Sequence, residues 1–172
     1  MKELFPIYSP QFFTATIYKW NNILQDDHNK EILIESLQFL VAERQIELNA
    51  FVIMINHVHL IWQPLFGFTP GSIQASFMKF TAQQLKKSLI KSDKIHSFKV
   101  NKFDRGHQVW KREPLSIELN NAIILNQKLE YIHYNPVIAG ICEKPEDYYY
   151  SSAKFYLDGK DEFGILTHCS GN

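Results

Sequence analysis

Hydrophobic and polar residues alternate along three short stretches of the chain, and this period of two is typical of β-strands. The alternation predicts strands over residues 12–18, 48–54 and 57–63. Only Ile55 and Asn56 separate the second strand from the third. We therefore expect these two strands to form a hairpin with a tight turn.

Two other stretches carry apolar residues at helical spacing. The first predicts a helix over about residues 29–43, with Asp26 or Asp27 as its capping residue. The second begins at Thr69 and Pro70, a capping residue followed by a first-turn proline. Its core-facing positions recur at helical spacing, at Met78, Ala82, Leu85 and Leu89.

A third helix is predicted from about residue 121 to residue 134. Proline disfavours helical geometry in the residue before it, so Pro136 should move Asn135 out of the helix. We therefore expect the helix to end there.

The predicted elements follow the order strand, helix, strand, strand, helix, strand, with a short fourth strand near Val109. This order is typical of an α+β, ferredoxin-like sandwich, in which helices pack on an antiparallel sheet. The chain has no internal repeat or linker-like stretch, which predicts a single domain over residues 1–172. Its core should span about residues 10–157, with a short tail over 158–172.

Composition agrees with a folded, intracellular protein. The 172 residues are 45% hydrophobic and 14% aromatic, which argues against disorder. Cys142 and Cys169 are too few and too far apart to indicate a disulfide framework or a zinc ribbon. No apolar run approaches the length of a membrane span, and no signal peptide precedes Phe5. The sequence therefore predicts a soluble, cytoplasmic protein without a membrane partner.

Charge is unevenly distributed, although the formal net charge is zero. Residues 79–112 contain ten lysines and arginines but only two aspartates. Such a block favours a nucleic-acid surface, and the aromatic rings of Phe103 and Trp110 within it would suit single-stranded bases. A solvated helix face and loop is the alternative. The side chains predicted to contact nucleic acid are Lys79, Lys86, Lys87, Lys91, Trp110, Lys111 and Arg112. Lys87, Lys91 and Lys94 recur at helical spacing and predict one positive ridge.

Two histidines one residue apart are the first candidate for chemistry. Because strand side chains alternate between faces, His57 and His59 should point the same way, about 7 Å apart along the strand. Two neutral imidazoles in that arrangement can converge on a divalent cation. The alternative is a pair of partly exposed strand histidines without a ligand.

A tyrosine and an asparagine at the end of the third helix form the second candidate. Tyr131 and Asn135 are spaced i, i+4, which places them on one side of the last turn. A phenol nucleophile beside an amide oxygen that binds metal would suit phosphoryl transfer. Tyr131 could instead be a core residue with a tethered hydroxyl.

Together these motifs resemble a known family. The chain resembles the single-tyrosine transposases of the HUH class, named for two histidines separated by a hydrophobic residue, and within that class the REP-associated branch. The resemblance runs from residue 12 to about residue 156. The matching pieces are residues 12–16, 50–60, 77–81, 109–112, 128–140 and 145–153.

The resemblance implies the HUH endonuclease type of ferredoxin-like fold and a metal-dependent enzyme. His57, His59 and Asn135 would hold Mg²⁺ or Mn²⁺, and Tyr131 would be the nucleophile. The enzyme would nick single-stranded DNA and transfer the strand through a 5′-phosphotyrosine intermediate, without a nucleotide cofactor. It would act in DNA transposition at hairpin-containing repeats, as a monomer or homodimer associated with the nucleoid. The ligand set alone would also suit Zn²⁺ or Ni²⁺.

Two other functions stay open. One is a domesticated DNA-binding protein with the same fold but no transposition activity. The other is a metal-dependent nucleotide hydrolase, although Ile61 stands where a third alternate histidine would be needed.

Other residues near the motifs have competing interpretations. Tyr134 is a secondary candidate for the nucleophile. The cluster of tyrosines over residues 148–150 lies outside the catalytic motif and is expected to pack or to contact DNA. His133 is expected to cap the helix, with a phosphate contact as the alternative. After Trp110 the chain departs from many relatives over residues 111–116, which affects the expected substrate recognition.

Overall fold

The computed structural model describes residues 7–169 and contains six strands and four α-helices in that range. Short 3₁₀ turns lie between several of them. In chain order the elements are β1 (Gln11–Thr16), α1 (Asp27–Ala42), β2 (Ile46–Ile53), β3 (His57–Pro64), α2 (Pro70–Lys91), β4 (Lys99–Lys102), β5 (Arg105–His107), β6 (Leu115–Glu118), α3 (Ala122–Ile138) and α4 (Ala153–Asp158).

Four strands form one antiparallel sheet in the order β2-β3-β1-β6, and β4 pairs with β5 in a separate hairpin. The predicted α+β, ferredoxin-like arrangement is confirmed. The expected position of the fourth strand is wrong, because Trp110 makes only an isolated bridge to Ile17 and the strand follows at Leu115–Glu118. That strand is short and mostly exposed, so it carries no strong alternation.

The sheet has two covered faces. One carries Phe13, Val58 and Trp62, which pack with α1 and α2 in the larger core. The other carries Phe12 and Ile61 and packs against α3. The face that bears His57 and His59 is therefore the face that α3 approaches.

The predicted helix starts are confirmed by capping hydrogen bonds. The Asp26 carboxylate accepts the backbone N–H of His28 at 3.0 Å, one residue before α1 begins. Thr69 and Ser72 exchange side-chain and backbone hydrogen bonds at the start of α2, with Pro70 in the first turn. These bonds satisfy helix N–H groups that have no partner within the helix.

The expected end of the third helix is wrong, because α3 continues through Pro136 to Ile138. It ends instead just before Gly140, which adopts the left-handed conformation with φ of 73°. The N–H of Gly140 donates to the carbonyl of Val137 at 2.9 Å, and the N–H of Ile141 donates to that of Pro136, also at 2.9 Å. This pair of bonds is the Schellman motif, and it satisfies carbonyls of the last turn.

The segment after residue 160 belongs to the core, so the predicted boundary at residue 157 is too early. Ile165 is buried in the larger core. The backbone N–H of Thr167 donates to the carbonyl of Leu48 at 2.9 Å, on the outer edge of β2. The Asn49 side-chain amide donates to the Thr167 carbonyl at 3.1 Å. This segment therefore covers part of an otherwise open sheet edge.

Within residues 7–169, no helix combines the length and the apolar character needed to cross a membrane.

Candidate active site and nucleic-acid surface

His57 and His59 project from the same face of β3. Their ring centroids lie 4.8 Å apart, and the planes meet at 74°. The residues between and beyond them, Val58 and Leu60, are buried in the core on the opposite face. The predicted alternation along this strand is confirmed.

Hydrogen bonds from behind fix the orientation of both imidazoles. The Thr14 hydroxyl lies 2.7 Å from Nδ1 of His59, and the Asn56 side-chain oxygen lies 2.7 Å from Nδ1 of His57. In each ring Nδ1 is therefore hydrogen-bonded, and Nε2 is the nitrogen that could bind a ligand in the pocket. Nε2 of His59 is buried and has no hydrogen-bond partner among residues 7–169.

Burial keeps both histidines neutral. It lowers the pKa of His59 to about 3, with smaller contributions from the charges of His57 and Lys128. Burial also lowers the pKa of His57, while a hydrogen bond with the Asn135 side chain acts in the opposite direction. A neutral imidazole has a free lone pair, so both rings are in the form that binds a metal ion.

Helix α3 brings Tyr131 and Asn135 to the two histidines. The Tyr131 ring centroid lies 5.2 Å from that of His59, and the side chain is 45% exposed. The i, i+4 spacing places Asn135 one turn further on, where it lines the same pocket as His57. The structure thus brings the four predicted residues together in one chain. The pocket that contains them is lined by Phe12, Thr14, Thr16, Trp20, His57, His59, Leu115, Lys128, Tyr131 and Asn135.

The donor groups of this pocket fit a divalent cation. They comprise the Nε2 atoms of His57 and His59 and the amide oxygen of Asn135, of which His59 Nε2 is a buried polar atom without a partner among the described residues. No group of three His, Cys, Asp or Glu side chains suited to a metal occurs within residues 7–169. The Asn135 amide oxygen is available as a third protein ligand for a cation bound by the two histidines.

Several residues of the pocket were not predicted from the sequence, among them Phe12, Thr14, Trp20 and Lys128. The Phe12 ring stacks on His59 at 5.5 Å, and the Lys128 ammonium lies 4.7 Å from the Phe12 centroid. Phe12 and Thr14 alternate on β1 in the same way as the two histidines on β3, a signal that becomes useful only once the strands are known to pair. Lys128 lies one helical turn before the predicted tyrosine of α3, which helical spacing would have indicated.

Tyr148 and Tyr150, which were alternatives to Tyr131 as the nucleophile, are hydrogen-bonded outside the pocket. Tyr148 donates to the carbonyl of Ile53 at 2.6 Å, and burial raises its pKa to about 12. Tyr150 donates to the Glu31 carboxylate at 2.8 Å, and burial followed by that bond raises its pKa. Neither lines the pocket of the two histidines. Both have the packing role that was expected for this cluster, and a raised pKa makes them poorer nucleophiles.

His133 does not cap the helix, so that expectation is wrong. Its side chain is buried, and its Nε2 lies 2.8 Å from the Ser152 hydroxyl. The same hydroxyl accepts the backbone N–H of Phe51 at 3.0 Å. His133 therefore ties α3 to the start of α4 and to β2.

The basic side chains form two separate groups. Lys79, Arg105, Lys111 and Arg112 line a groove between α2 and residues 105–114, which we call the basic groove. Asp104 bonds to Arg105 and lies 3.9 Å from Arg112, which offsets part of that charge. Lys86 is exposed two helical turns after Lys79, on the same side of α2.

The predicted ridge is wrong for Lys94, which lies beyond the end of α2 and lines a different pocket. Lys87 and Lys91 lie together, on another side of α2 from Lys79. They line a groove between α1 and α2 together with Glu31 and Glu35. Their charges are partly balanced there by the carboxylates of α1. Their contact with nucleic acid stays a prediction.

Trp110 lines the basic groove, but its ring is almost entirely covered. Its side chain is 5% exposed, and the indole Nε1 donates to the Thr81 hydroxyl at 3.0 Å. In the sequence Trp110 lies among cations, which does not reveal that it is buried. Its β-bridge to Ile17 places it next to the core. Phe103, by contrast, is fully exposed in the turn between β4 and β5.

The fold of the chain matches that of a solved REP-associated tyrosine transposase bound to a REP hairpin. The identity is 16%, the match covers 100% of this chain and 96% of that chain, and the TM-score is 0.68. A second match, to a protein from Deinococcus radiodurans R1 assigned as a transposase, has 14% identity, covers 77% of this chain and 95% of that one, and has a TM-score of 0.49. No protein-family model and no curated protein matches the chain. The resemblance is therefore confirmed in its fold.

Proposed function

We propose that this chain is a tyrosine transposase of the REP-associated type that nicks and rejoins single-stranded DNA. The observation that carries the proposal is the position of Tyr131. Its ring packs 5.2 Å from that of His59, in a pocket shared with His57 and Asn135. The fold match to a REP-associated tyrosine transposase supports the same activity.

In the proposed reaction, the Tyr131 oxygen attacks the phosphorus of a phosphodiester. The new O–P bond joins the tyrosine to the 5′ side of the strand, and the bond between phosphorus and the 3′ oxygen breaks. The phenol loses its proton, and the leaving oxygen gains one to become a free 3′-hydroxyl. Attack by a different 3′-hydroxyl would release Tyr131 and join the strands, so the exchange consumes no nucleotide.

A divalent cation, Mg²⁺ or Mn²⁺, is proposed as the cofactor, with His57, His59 and Asn135 as its ligands. When bound, it would withdraw charge from the scissile phosphate and orient it for in-line attack. Thr14 holds the His59 ring through Nδ1, and the residue before His57 does the same for that ring. The Lys128 ammonium lies 5.7 Å from the centroid of the Tyr131 ring and is proposed to attract the phosphate that Tyr131 attacks.

The proposed substrate is single-stranded DNA that contains a hairpin. The solved REP-associated tyrosine transposase with the same fold is bound to a REP hairpin. In this chain, the basic groove adjoins the pocket, because Pro114 lines the groove and Leu115 lines the pocket. Cations in the groove would bind the phosphates of a strand whose cleaved bond lies at Tyr131.

We also propose that Tyr131 acts within its own chain. All four proposed catalytic and ligand residues meet in one protomer, so a second copy is not needed to complete the site. A monomer would therefore be competent for cleavage.

The test is formation of a covalent adduct on labelled single-stranded oligonucleotides taken from repeats that flank the gene, with Mn²⁺. The proposal predicts a protein–DNA band that survives denaturation, disappears in Tyr131→Phe and persists in Tyr134→Phe. Tyr134 is a matched control, because it is similarly exposed on α3 but does not line the pocket. An adduct that survives in Tyr131→Phe would contradict the proposed nucleophile. Hairpin binding without any adduct would instead favour a domesticated DNA-binding protein.

A further inference from the structure

A tryptophan at the rim of the pocket has no role in the chemistry proposed above. Trp20 lies between β1 and α1, and its side chain is 56% exposed. Its ring centroid is 6.2 Å from that of His57, with the planes at 72°. An indole of this exposure leaves a large apolar surface in water beside a polar site.

The backbone that presents Trp20 is strained. Lys19 has φ of 54° and Trp20 has φ of 57°, so two consecutive residues with side chains adopt the left-handed conformation. That conformation is uncommon outside glycine and is unfavourable for a bulky residue. Strained backbone of this kind persists where surrounding contacts enforce it, and it clusters at ligand sites.

Hydrogen bonds on both sides enforce this conformation. The Trp20 N–H donates to the carbonyl of Ile17 at 2.9 Å, and the Asn21 side-chain amide donates to that of Tyr18 at 2.7 Å. These bonds fix the turn from which the indole reaches the rim of the pocket.

The same turn is hydrogen-bonded to residues 109–111, which line the basic groove. The Lys111 N–H donates to the carbonyl of Thr16 at 2.7 Å, and the Tyr18 N–H donates to that of Val109 at 2.8 Å. Thr16 lines the pocket, whereas Lys111 lines the basic groove. Trp20 thus stands beside the junction between the proposed phosphate-binding groove and the proposed catalytic pocket.

We infer that Trp20 is a stacking platform for a nucleobase next to the phosphate that Tyr131 attacks. The inference rests on the proposed function and adds a base-binding site to it. An exposed aromatic ring flanked by cations is the arrangement that binds single strands, because every base has a π face to stack on. Stacking there would hold one neighbour of the scissile phosphate and so position the phosphate itself.

Tryptophan fluorescence can test the contact directly. The chain has three tryptophans, and the other two, Trp62 and Trp110, are 0% and 5% exposed. A base that stacks on the protein should therefore quench Trp20 alone. We expect the tryptophan fluorescence of the Tyr131→Phe variant to fall to a plateau as a repeat-derived oligonucleotide is added. The midpoint of this titration should equal the binding midpoint measured by fluorescence anisotropy of the same oligonucleotide carrying a dye. The double variant Tyr131→Phe, Trp20→Phe should bind without this quenching.

Adduct formation tests the consequence for the reaction. Trp20→Ala should slow the adduct roughly 10-fold or more, and Trp20→Phe should retain most of the rate, because a phenyl ring still stacks. Phe39→Ala is the matched control, since Phe39 is also 56% exposed but lies on α1 outside the pocket. A series of oligonucleotides, each lacking one base, locates the stacked base. At one position, removal of the base should slow adduct formation by the wild type but should not slow it further in Trp20→Ala.

The outcomes separate this inference from the proposed function. Binding without a change in emission, or an undiminished adduct in Trp20→Ala, would overturn the role of Trp20 and leave the nucleophile intact. An oligonucleotide that binds and quenches Trp20 but never forms an adduct would keep the base site and overturn the proposed chemistry. No binding of the single strand would overturn both.

Discussion

The hydroxyl of Thr14 lies 2.7 Å from Nδ1 of His59, across the antiparallel pair of β1 and β3. The two residues are directly opposite in the register of these strands. The bond engages one ring nitrogen of His59, so the other ring nitrogen, Nε2, faces the pocket. The neighbouring strand thereby sets the direction in which His59 would offer its lone pair.

Replacing Thr14 by valine should weaken divalent-cation binding while leaving the fold intact. Without the hydroxyl, the His59 ring loses the partner that orients it, and such changes typically lower metal affinity about 10–100-fold. Calorimetric titration with Mn²⁺ measures the effect. Thr16→Val is the control, because it alters the same pocket without touching the His59 hydrogen bond. Equal affinities for Thr14→Val and the wild type would contradict this role.

Lys79 and Lys111 line the basic groove, whereas Lys87 and Lys91 line the groove between α1 and α2. We therefore expect substitutions in the two grooves to affect DNA binding unequally. Replacing Lys79 and Lys111 by alanine should weaken binding of a single strand. The salt dependence should also flatten, by roughly 0.7 in log–log slope for each phosphate that the variant no longer binds. Anisotropy titrations at several salt concentrations measure both effects.

The pair Lys87→Ala, Lys91→Ala is the matched control for charge. It removes two positive charges as well, but from the groove that contains Glu31 and Glu35. The slope of its salt dependence should therefore change little. Equal slopes for the two double variants would show that DNA binding does not depend on which groove the lysines line.

Trp110 should behave as a core residue. Replacing it by phenylalanine removes the hydrogen bond to Thr81 and leaves unfilled volume, which should lower the free energy of unfolding by roughly 1–3 kcal/mol. Urea denaturation measures this loss. The folded variant should bind single-stranded DNA as tightly as the wild type. Weaker DNA binding by a variant that is still fully folded would restore Trp110 as a base contact.

Tyr148 should make the protein less stable at alkaline pH. Its pKa is about 12 in the folded chain against an ordinary value of 10.0, because burial disfavours the phenolate. Above pH 10 the unfolded state releases this proton first, so the unfolded state is favoured as pH rises towards 12. The loss is on the order of 2 kcal/mol.

The variant Tyr148→Phe tests this pH dependence. It should be less stable than the wild type at neutral pH, because it lacks the hydrogen bond to the Ile53 carbonyl. Its stability should fall less steeply as the pH rises from about 10 to about 12, because the titrating phenol is gone. Chemical denaturation at a series of pH values measures both effects, and an unchanged pH dependence would contradict this account.

The sequence predicted the parts of the fold that local pattern determines. Strict alternation on either side of His57 and His59 identified the strand and its two faces. Capping residues such as Thr69 identified helix starts, because the chemistry of a cap lies within a few residues. The helical spacing of Tyr131 and Asn135 also sufficed to place both on one side of α3.

Features that depend on tertiary pairing could not be read in this way. The partnership of Thr14 and His59 requires the register between strands that are far apart in the chain. Pro136 alone predicts a stop, but the Schellman motif that follows it determines where α3 ends. Trp20 has no signal in the sequence, because its position depends on a left-handed backbone that residues with side chains seldom adopt.

The role of Tyr131 as the nucleophile is tested by finding which residue carries the DNA after the reaction. The adduct formed with Mn²⁺ would be digested with nuclease and trypsin, and the nucleotide-linked peptide would be sequenced by tandem mass spectrometry. Because proline follows Lys144 and blocks trypsin there, residues 129–154 form one peptide that contains every candidate tyrosine, and fragment ions distinguish them. We expect the phosphoryl group on Tyr131. Its presence on Tyr134, or on a tyrosine within residues 148–150, would contradict it.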